Sequence, residues 1–339
     1  MKLQRIEITG LWHEQNIVWN LNPDVNILIG GNGVGKTTIL DLCYMIIPPS
    51  ALKRYITRKA EKIKLTFDNK YIVECLNFKD SFISLKEKAE LDPSYKRMYE
   101  ELKEDIGVKK SRLNFGIYAS FLQFYHDDQI VKPIEIEKIV NVDVVSTFDN
   151  PLPKDDDESS AFKELQESKP MSHLDKNLFD CMEAYSYYIG NLANKIEKQA
   201  LTGNDINTEF IQDVYYQKHT FERIINDLFK DSDKKIDLSK SKPSIILSSG
   251  EYISMYDLSS GEKQILYIML KVLLQEKKEY IMFMDEPELS LHVDWQEVLI
   301  DKILELNPNC QLIISTHSPS LLFAGWEPKV KSVEELKIK

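Results

Sequence analysis

The chain has 339 residues, of which 43% are hydrophobic and 29% are charged, a balance that excludes wholesale disorder. Its formal net charge of −11 argues against indiscriminate nucleic-acid binding, although a local basic face stays open. The four cysteines are not spaced as in structural metal sites or disulfide frameworks. No stretch approaches the roughly 20 apolar residues of a membrane span, and the N-terminus lacks the apolar block of a signal peptide. We therefore expect a cytoplasmic protein of two domains, or of one domain with a large insertion.

The first third of the sequence predicts two groups of strands around a glycine-rich turn. Residues 5–12 and 15–21 alternate as strands do, and residues 25–29 form a short apolar run typical of a buried strand. A helical pattern starts at Lys36 and is stopped by two prolines. Further strands are predicted at 62–67, 70–78 and 81–87, a helix at 90–106, and an apolar strand within 111–125.

The middle of the chain differs in composition. Residues 149–172 are acidic and proline-bearing, with few large apolar side chains, and predict a loop. Apolar residues then recur every three or four positions across 174–196 and again across 210–228, which is typical of two amphipathic helices. A polar break at 202–205 joins them into a helical hairpin, whose arms are each about 35–40 Å long at the usual rise per residue.

Strands and helices alternate again after residue 232. Strands are predicted at 234–238, 244–249, 251–256, 280–286 and 311–316, and helices after residue 259 and at 292–306. Because this pattern at both ends flanks a different middle, we predict an α/β domain split by an insertion. Its two halves are residues 1–125 and 233–339, and the inserted loop and hairpin are residues 126–232.

A phosphate-binding loop is the most specific motif. GGNGVGKTT fits GxxxxGK[ST] and lies between a predicted strand and helix, as the motif requires. Its glycines let backbone N–H groups turn toward phosphates, Lys36 supplies positive charge to the β and γ phosphates, and Thr37 offers a hydroxyl to Mg²⁺. The predicted nucleotide-binding residues are Gly30, Asn32, Gly33, Val34, Gly35, Lys36, Thr37 and Thr38.

Two carboxylates end the apolar strand at 280–286. We assign Asp285 to the support of Mg²⁺ and Glu286 to polarising the attacking water. The alternative is that the two acids are solvated and only cap the strand. It is less favoured in a chain that also has a phosphate-binding loop. His317 follows another apolar strand, where α/β folds bind ligands, and is interpreted as a sensor of the γ phosphate; packing or capping is the alternative.

A second anion site is predicted at LSSGEKQ, residues 258–264. Two serines and a glycine stand there at the start of an apolar helix, a position that suits an anion. The phosphate-binding loop lies far upstream, so the residues alone do not say whose phosphate this site holds.

Four motifs, GGNGVGKTT, DLSSGEKQ, MDEPELSLHVDWQ and STHSP, occur in an order that resembles the ATP-binding-cassette (ABC) ATPases. Within them the chain is similar to the branch shared by structural-maintenance (SMC) and RecF-like repair ATPases and the overcoming-lysogenization-defect (OLD) family, the AAA_15 and AAA_21 types. The resemblance covers about residues 1–45 and 240–325. It implies an ABC-type P-loop ATPase head, of α/β class with an inserted helical lobe, that binds ATP and Mg²⁺ and hydrolyses ATP slowly.

The resemblance also implies that LSSGEKQ, the signature, completes the ATP site of a second, antiparallel subunit. A homodimer, or a higher even-numbered oligomer, would then close around two ATP molecules. His317 would be the switch histidine. The residues implied at the partner's ATP are Ser259, Ser260, Gly261 and Glu262, and those of the interface loop are Ser290, Leu291 and His292.

Two further roles are implied by the resemblance. A glutamine at the junction with the insertion ligates Mg²⁺ in such ATPases; Gln123 is the candidate and Gln129 the alternative. Trp12 is the candidate for a contact with adenine. The chain departs from the family pattern at Val293, where proline is usual, and we expect little consequence.

The biological role has three candidates. The chain ends soon after His317, so we expect the ATPase half alone, without the TOPRIM nuclease domain of fused OLD members. It resembles the ATPase subunits of PARIS-like or Septu-like anti-phage pairs, which are regulatory scaffolds for a separate nuclease or toxin effector. The alternatives are a RecF-like repair ATPase that binds DNA directly, and the nucleotide-binding subunit of a membrane transporter, against which the long insertion and Ser260 argue.

Three other patterns carry weaker hypotheses. The basic cluster from Lys53 to Lys64 could bind DNA, RNA or an acidic partner, but a solvated face is favoured. The acidic run 155–158 is interpreted as a solubilising linker rather than a Mg²⁺ site. The hairpin tyrosines could stack on bases, but their helical spacing favours packing. They are Tyr185, Tyr187, Tyr188, Tyr215 and Tyr216.

Overall fold

The computed structural model describes most of the two predicted halves and the hairpin. The described residues are 1–12, 14–47, 59–76, 86, 89–90, 96, 100, 121–127, 129–132, 135–136, 138–146, 162, 171–202, 206–322 and 325–338. Of the strand predicted at 81–87, only Lys86 is described, and it is helical, so this strand is not confirmed. The predicted acidic run 155–158, the basic residues Lys53, Arg54 and Arg58, and the hairpin turn 203–205 lie outside the described residues.

Most of the strands and helices lie where the sequence predicts them. The strands are β1 (Leu3–Leu11), β2 (Gln15–Asn20), β3 (Val25–Ile29), β4 (Lys62–Phe67), β5 (Tyr71–Leu76), β6 (Phe121–His126), β7 (Gln129–Ile130), β8 (Val142–Ser146), β9 (Lys234–Asp237), β10 (Ser244–Leu247), β11 (Tyr252–Ile253), β12 (Tyr280–Asp285), β13 (Cys310–Ser315), β14 (Val330–Ser332) and β15 (Lys337–Ile338). The helices whose bounds lie within the described residues are α1 (Lys36–Tyr44), α2 (His173–Leu201), α3 (Thr208–Phe229), α4 (Ser260–Leu274), α5 (Val293–Leu306), α6 (Pro319–Leu322) and α7 (Val333–Leu336). The strands β7, β8, β14 and β15 and the helices α6 and α7 were not predicted. Within the described ranges, no helix has both the length and the apolar composition needed to span a membrane.

A five-stranded parallel sheet lies at the centre of the fold, in the order β14-β3-β13-β12-β8. Its middle strands are buried on both faces, which is why they read as apolar runs rather than as alternating patterns. Successive side chains of β12 enter different cores. Met282 and Met284 pack with the helical layer, whereas Ile281 and Phe283 pack with α1 and the second sheet.

The second sheet is antiparallel and has seven strands, in the order β15-β2-β1-β4-β5-β6-β7. Its buried face and the parallel sheet enclose α1, whose Ile39 and Leu40 join Ile6, Ile8 and Phe283 in one core cluster. This arrangement holds the start of α1, and the glycine-rich turn before it, at the end of β3.

The helices α2, α3, α4 and α5 cover the opposite face of the parallel sheet. Helix α4 is buried along most of its length, as expected for a helix that is apolar nearly all round. Two ion pairs with partly or fully buried partners attach it to its surroundings. Lys263 pairs with Asp175 of α2 at 2.7 Å, and Lys271 pairs with Asp143 of β8, also at 2.7 Å.

The predicted helical hairpin forms as α2 and α3, but it is partly embedded in the core. The first part of α2 and the last part of α3 are buried with α4, so that Tyr185 and Tyr188 pack inside while Tyr187 and Tyr216 are exposed. The predicted boundary at residue 126 is wrong as the edge of the head, because β7 extends the antiparallel sheet and β8 lies in the parallel sheet. A five-residue strand with a mixed apolar pattern is too short to be assigned to a sheet from periodicity.

Candidate functional site

Three neighbouring parallel strands bring the sequence motifs together at their carboxyl ends. The glycine-rich loop follows β3, the two carboxylates end β12, and His317 follows β13. The register places Asp285 beside Ser315, and Ser315 beside Leu28. Ligands of α/β sheets bind at this edge, so the structure assembles the predicted nucleotide site where the fold favours one.

The phosphate-binding loop has the backbone conformation that its glycines permit. Gly33 and Gly35 have φ values of 78° and 103°, a region that other residues rarely adopt. Gly35 is also the N-cap of α1, and no side chain among the described residues caps this helix end. Unpaired N–H groups at a helix N-terminus bind anions. Asn32 and Thr37 are exposed on the loop, and Thr38 is half-buried.

Lys36 is the cation of this loop and is only 5% exposed. Its Nζ donates to the carbonyl oxygens of Gly30 at 3.0 Å and Gly31 at 3.3 Å, and it contacts Nε2 of His317. Burial lowers the pKa of Lys36, an effect that nearby carboxylates oppose. These carboxylates are Glu286, Asp285 and Glu288. The loop therefore holds a buried ammonium group that an incoming phosphate would stabilise.

The two predicted carboxylates occupy different environments. Asp285 accepts a hydrogen bond from the Ser315 hydroxyl, which fixes it at the strand end. Glu286 leaves the strand with a φ of 48°, its backbone N–H donates to the Ser315 carbonyl at 2.9 Å, and its carboxylate lies 3.5 Å from Nε2 of His317. Left-handed φ values at residues other than glycine often mark functional sites. Here it turns Glu286 toward the predicted γ-phosphate sensor.

Glu288 is a site residue that the sequence analysis missed. It is 8% exposed, and its Oε1 accepts from the hydroxyl of Thr316 and from the backbone N–H groups of His317 at 3.0 Å and Ser318 at 3.2 Å. The segment that carries His317 is thus held by a carboxylate from the turn after β12. The sequence contained a signal for it, because Glu288 is the third acid of Asp-Glu-Pro-Glu and no role was predicted for it.

The predicted signature residues divide into two groups. Ser259 and Glu262 form a capping box within the chain: Ser259 Oγ accepts from Glu262 N–H at 3.3 Å, and Glu262 accepts from Ser259 N–H at 2.9 Å. Lys234 Nζ also binds both oxygens of Glu262, at 2.8 and 2.9 Å. Ser260 is exposed at the first turn of α4. Ser259 is exposed as well, but its hydroxyl takes part in the capping box, so Ser260 carries the exposed signature hydroxyl that the box does not use.

The interface loop lies directly against the signature. Ser290 and His292 are exposed, whereas Leu291 is buried. A Cβ at Gly261 would lie 2.3 Å from the carbonyl oxygen of Ser290, so the two motifs share one surface. The exposed apolar residues Leu289 and Val293 flank the loop on that surface.

The glutamines predicted as Mg²⁺ ligands lie in the antiparallel sheet. Gln123 pairs with Glu74 of β5, is buried, and accepts from the hydroxyl of Tyr125. Gln129 is exposed in the edge strand β7. The strand beside β12 is instead β8, whose Ser146 pairs with Asp285. Neither Gln123 nor Gln129 lies in the strand that pairs with β12, because sheet neighbours are set by long-range pairing. The assignment of a glutamine at the junction with the insertion to Mg²⁺ stays a prediction.

The residues present fit ATP with Mg²⁺. Within the described residues, no group of three or more His, Cys, Asp or Glu side chains is arranged to hold a metal ion. Mg²⁺ in nucleotide sites is held by one or two protein groups together with phosphates and water, so such a cluster is not required. The exposed hydroxyl of Thr37 and the carboxylate of Asp285 supply groups of the kind that Mg²⁺ prefers.

Trp12 lies over the phosphate-binding loop. A Cβ at Gly35 would lie 2.5 Å from Cη2 of the indole, and the side chain is 36% exposed. The ring is therefore beside the loop that is predicted to bind the nucleotide, and the adenine contact stays a prediction.

One family model matches the chain over residues 25–322, and it is described as “AAA domain, putative AbiEii toxin, Type IV TA system”. This span runs from β3 to α6. It contains the phosphate-binding loop, the signature, the carboxylates and His317.

Two curated relatives come from bacterial systems. “Retron Vc95 probable ATPase” of Vibrio cholerae serotype O1 biovar El Tor is 24% identical over 375 aligned residues, which cover 92% of this chain and 69% of that protein. “Septu protein PtuA” of Bacillus thuringiensis is 31% identical over 127 residues, which cover 32% of this chain and 32% of that protein.

A solved structure supports the architecture. The crystal structure of an SMC head bound to the C-winged helix domain of ScpA superposes with a TM-score of 0.54 at 12% identity, covering 96% of this chain and 92% of that one. At this identity the likeness concerns the fold alone. It confirms the predicted α/β fold, which is similar to that of an SMC head.

Proposed function

Because this chain belongs to the family described as “AAA domain, putative AbiEii toxin, Type IV TA system”, and is an SMC-like ATPase related to those of defence systems, we propose that two copies of it bind two ATP molecules between them. The homodimer hydrolyses ATP slowly. Its closing and opening regulate a separate nuclease or toxin effector in anti-phage defence.

The observation that supports ATP hydrolysis is the grouping of Lys36, Glu286 and His317. A buried ammonium group contacts the histidine, whose Nε2 lies 3.5 Å from the Glu286 carboxylate. Lys36 binds the β and γ phosphates, Glu286 orients and polarises the attacking water, and His317 contacts the γ phosphate. Bound Mg²⁺ supplies positive charge that offsets the charge of the phosphates.

The surface around Ser260 supports a composite site. Its hydroxyl and the N-terminus of α4 are exposed, and a helix N-terminus favours a phosphate from outside the chain. Ser290 lies beside it, flanked by the exposed side chains of Leu289 and Val293. A two-fold axis near this surface would use the same patch on both copies, as isologous dimers do.

The outer part of the hairpin supports the docking of an effector protein. A cavity of about 600 Å³ opens there between α2 and α3, beside the loop after α4. Three lysines and Asp213 line it, and one of the lysines, Lys195, lies 3.6 Å from the carboxylate of Glu276. Leu201 of α2 and Ile211 of α3 are exposed. We assign this surface to an effector that presents acidic and apolar side chains. The lysines are Lys195, Lys198 and Lys277.

The described part of the basic stretch gives less support to nucleic acid. Lys62 and Lys64 lie 3.1 and 3.9 Å from the carboxylate of Glu74 on the neighbouring strand. Lys64 also pairs across the sheet with Glu7. These acids offset the charge that a phosphate backbone would require.

Two substitutions test the proposed function. Glu286→Gln should retain ATP and accumulate as a dimer, whereas Lys36→Ala should lose nucleotide binding and stay monomeric. Size-exclusion chromatography with light scattering, with and without ATP and Mg²⁺, separates the two states, and phosphate release measures hydrolysis. A Glu286→Gln protein that binds ATP and stays monomeric at every concentration would refute the composite site.

A further inference from the structure

A series of hydrogen bonds connects the segment of the sensor histidine to the interface loop. It begins at Glu288, a carboxylate that is 8% exposed. One of its oxygens, Oε1, accepts from Thr316, His317 and Ser318, two of these bonds being made by backbone N–H groups. Hydrogen bonds to a charged acceptor are stronger than neutral ones. Residues 316–318 therefore move together with the segment that follows β12.

Gln296 of α5 makes the second connection. Its Oε1 accepts from the Ser318 hydroxyl, and its Nε2 donates to the carbonyl oxygen of Leu291 at 2.9 Å. A primary amide has a donor and an acceptor on one rigid plane, so it can join two backbone segments at a set separation. Here it joins the histidine segment to the interface loop.

Both ends of this series reach predicted ATP-contacting groups. At one end, His317 contacts Nζ of Lys36 and lies 3.5 Å from Glu286. At the other end, buried Leu291 follows Ser290, whose carbonyl lies against Gly261 of the signature. A shift of His317 would thus be carried to the surface that faces a partner.

The second oxygen of Glu288 indicates that this carboxylate is not there for stability alone. Oε2 is buried and has no hydrogen-bond partner among the described residues. A buried carboxylate with an unpaired oxygen destabilises the folded state relative to an apolar side chain of similar size. A function for Glu288 would account for its presence.

We propose that Glu288 and Gln296 are positioning residues: they couple the sensor histidine to the interface loop, so that nucleotide at Lys36 of one copy sets the loop that completes the partner's site. This inference rests on the proposed function, because it requires ATP at Lys36. The coupling itself lies within one chain and can be observed in a monomer. We call the hydrogen-bonded unit of Glu288, Ser318, Gln296 and Leu291 the loop clamp.

The test uses Gln296→Glu, which keeps an acceptor for Ser318 but replaces the donor to Leu291 with an oxygen. Gln217→Glu is the matched control, since Gln217 Nε2 also donates to a backbone carbonyl, that of Leu306 at 3.4 Å. Both changes are made in a Ser260→Glu chain. Its added carboxylate repels a partner's phosphates and keeps the protein monomeric.

Hydrogen–deuterium exchange of residues 288–293 is measured with and without ATP, and calorimetry gives the ATP affinity. We expect ATP to slow exchange in the Ser260→Glu chain and in its Gln217→Glu derivative. With Gln296→Glu this response should fall about fivefold or more, while the ATP affinity changes by less than about threefold. If Gln296→Glu fails to fold, Gln296→Met, which has a similar volume, is used instead. We expect the same loss of the exchange response and the same ATP affinity.

A second comparison separates coupling from simple structural support. The amide oxygen of Glu288→Gln can still accept from all three donors, so this variant should keep the ATP response that Glu288→Ala loses.

Three results would overturn the loop clamp: no ATP response at residues 288–293, a response that survives Gln296→Glu, or a loss of ATP affinity in parallel with the response. A normal response in the monomer together with a Glu286→Gln protein that never dimerises would refute the composite site and leave the clamp standing.

Discussion

Gly261 of the signature and Ser290 of the interface loop are in direct backbone contact: a Cβ at residue 261 would lie 2.3 Å from the Ser290 carbonyl oxygen. Gly261 is helical and buried, so the glycine is needed for close approach and not for a left-handed φ. Ser290 has a φ of 67°, which turns the loop across the start of α4. The two motifs that we assign to the partner's ATP are therefore one rigid surface.

Gly261→Ala should separate these two motifs. The added methyl group cannot be accommodated beside a backbone oxygen, and such overpacking destabilises proteins by about 1–3 kcal/mol. We expect a lower melting temperature together with loss of ATP-dependent dimerisation. Gly190→Ala is the matched control, because Gly190 is also helical and has no atom within 4 Å of an added Cβ. This control should be neutral or stabilising by up to about 1 kcal/mol. Equal effects of the two substitutions would contradict the contact.

Mixing two inactive proteins tests whether Ser260 acts in trans. Ser260→Arg blocks the signature, and Lys36→Ala blocks the phosphate-binding loop, so each variant alone should lack ATPase activity. A mixed dimer has one complete site, made from the loop of the first chain and the signature of the second. We expect phosphate release to appear on mixing. A chain that carries both substitutions, mixed with either single variant, should not restore phosphate release. Full activity of Ser260→Arg alone would show that the serine is not needed.

Trp12 should contribute to nucleotide affinity, since its indole lies over Gly35 and is partly exposed. Aromatic stacking contributes about 0.5–1.5 kcal/mol, so Trp12→Ala should weaken ATP binding roughly threefold to tenfold. Trp12→Phe should lose less. Tryptophan fluorescence gives a second measurement: the change on ATP addition should vanish in Trp12→Phe and persist in Trp326→Phe. Unchanged affinity in Trp12→Ala would rule out an adenine contact.

The capping box of the signature helix predicts a pH dependence of stability. Burial by itself would raise the pKa of Glu262, but hydrogen bonds from Lys234 and Ser259 outweigh it and hold the pKa below its ordinary value of 4.5. A carboxyl whose pKa is lowered on folding stabilises the fold above its unfolded pKa, and this contribution is lost as the pH falls through the folded pKa. The difference in unfolding free energy between the wild type and Glu262→Gln should therefore shrink as the pH falls from 7 to below 4.5.

Urea unfolding at several pH values measures this difference. Lys234→Met serves as the control, because it removes the main partner and should reduce the pH dependence. A difference that stays constant down to pH 3.5 would show that the Glu262 pKa is not lowered.

The residues that we assign to the nucleotide could be predicted from short motifs in the sequence. GGNGVGKTT, the strand that ends in Asp285-Glu286, and the strand before His317 each carry their information within a few residues, since backbone conformation and strand ends are local properties. The hairpin was equally predictable, because the apolar stripes of α2 and α3 recur at helical spacing.

Tertiary structure decided which of these segments meet. That β8 lies beside β12, that Gln123 belongs to the other sheet, and that Glu288 holds His317 all depend on contacts between residues far apart in the chain. Periodicity assigns a face to each strand but no neighbour. The hydrogen-bond partners of a buried carboxylate or amide cannot be predicted until the positions of the surrounding backbone groups are known. The sequence alone therefore predicted the chemistry that we propose for this protein, and packing decided how the two motifs predicted to bind anions are connected.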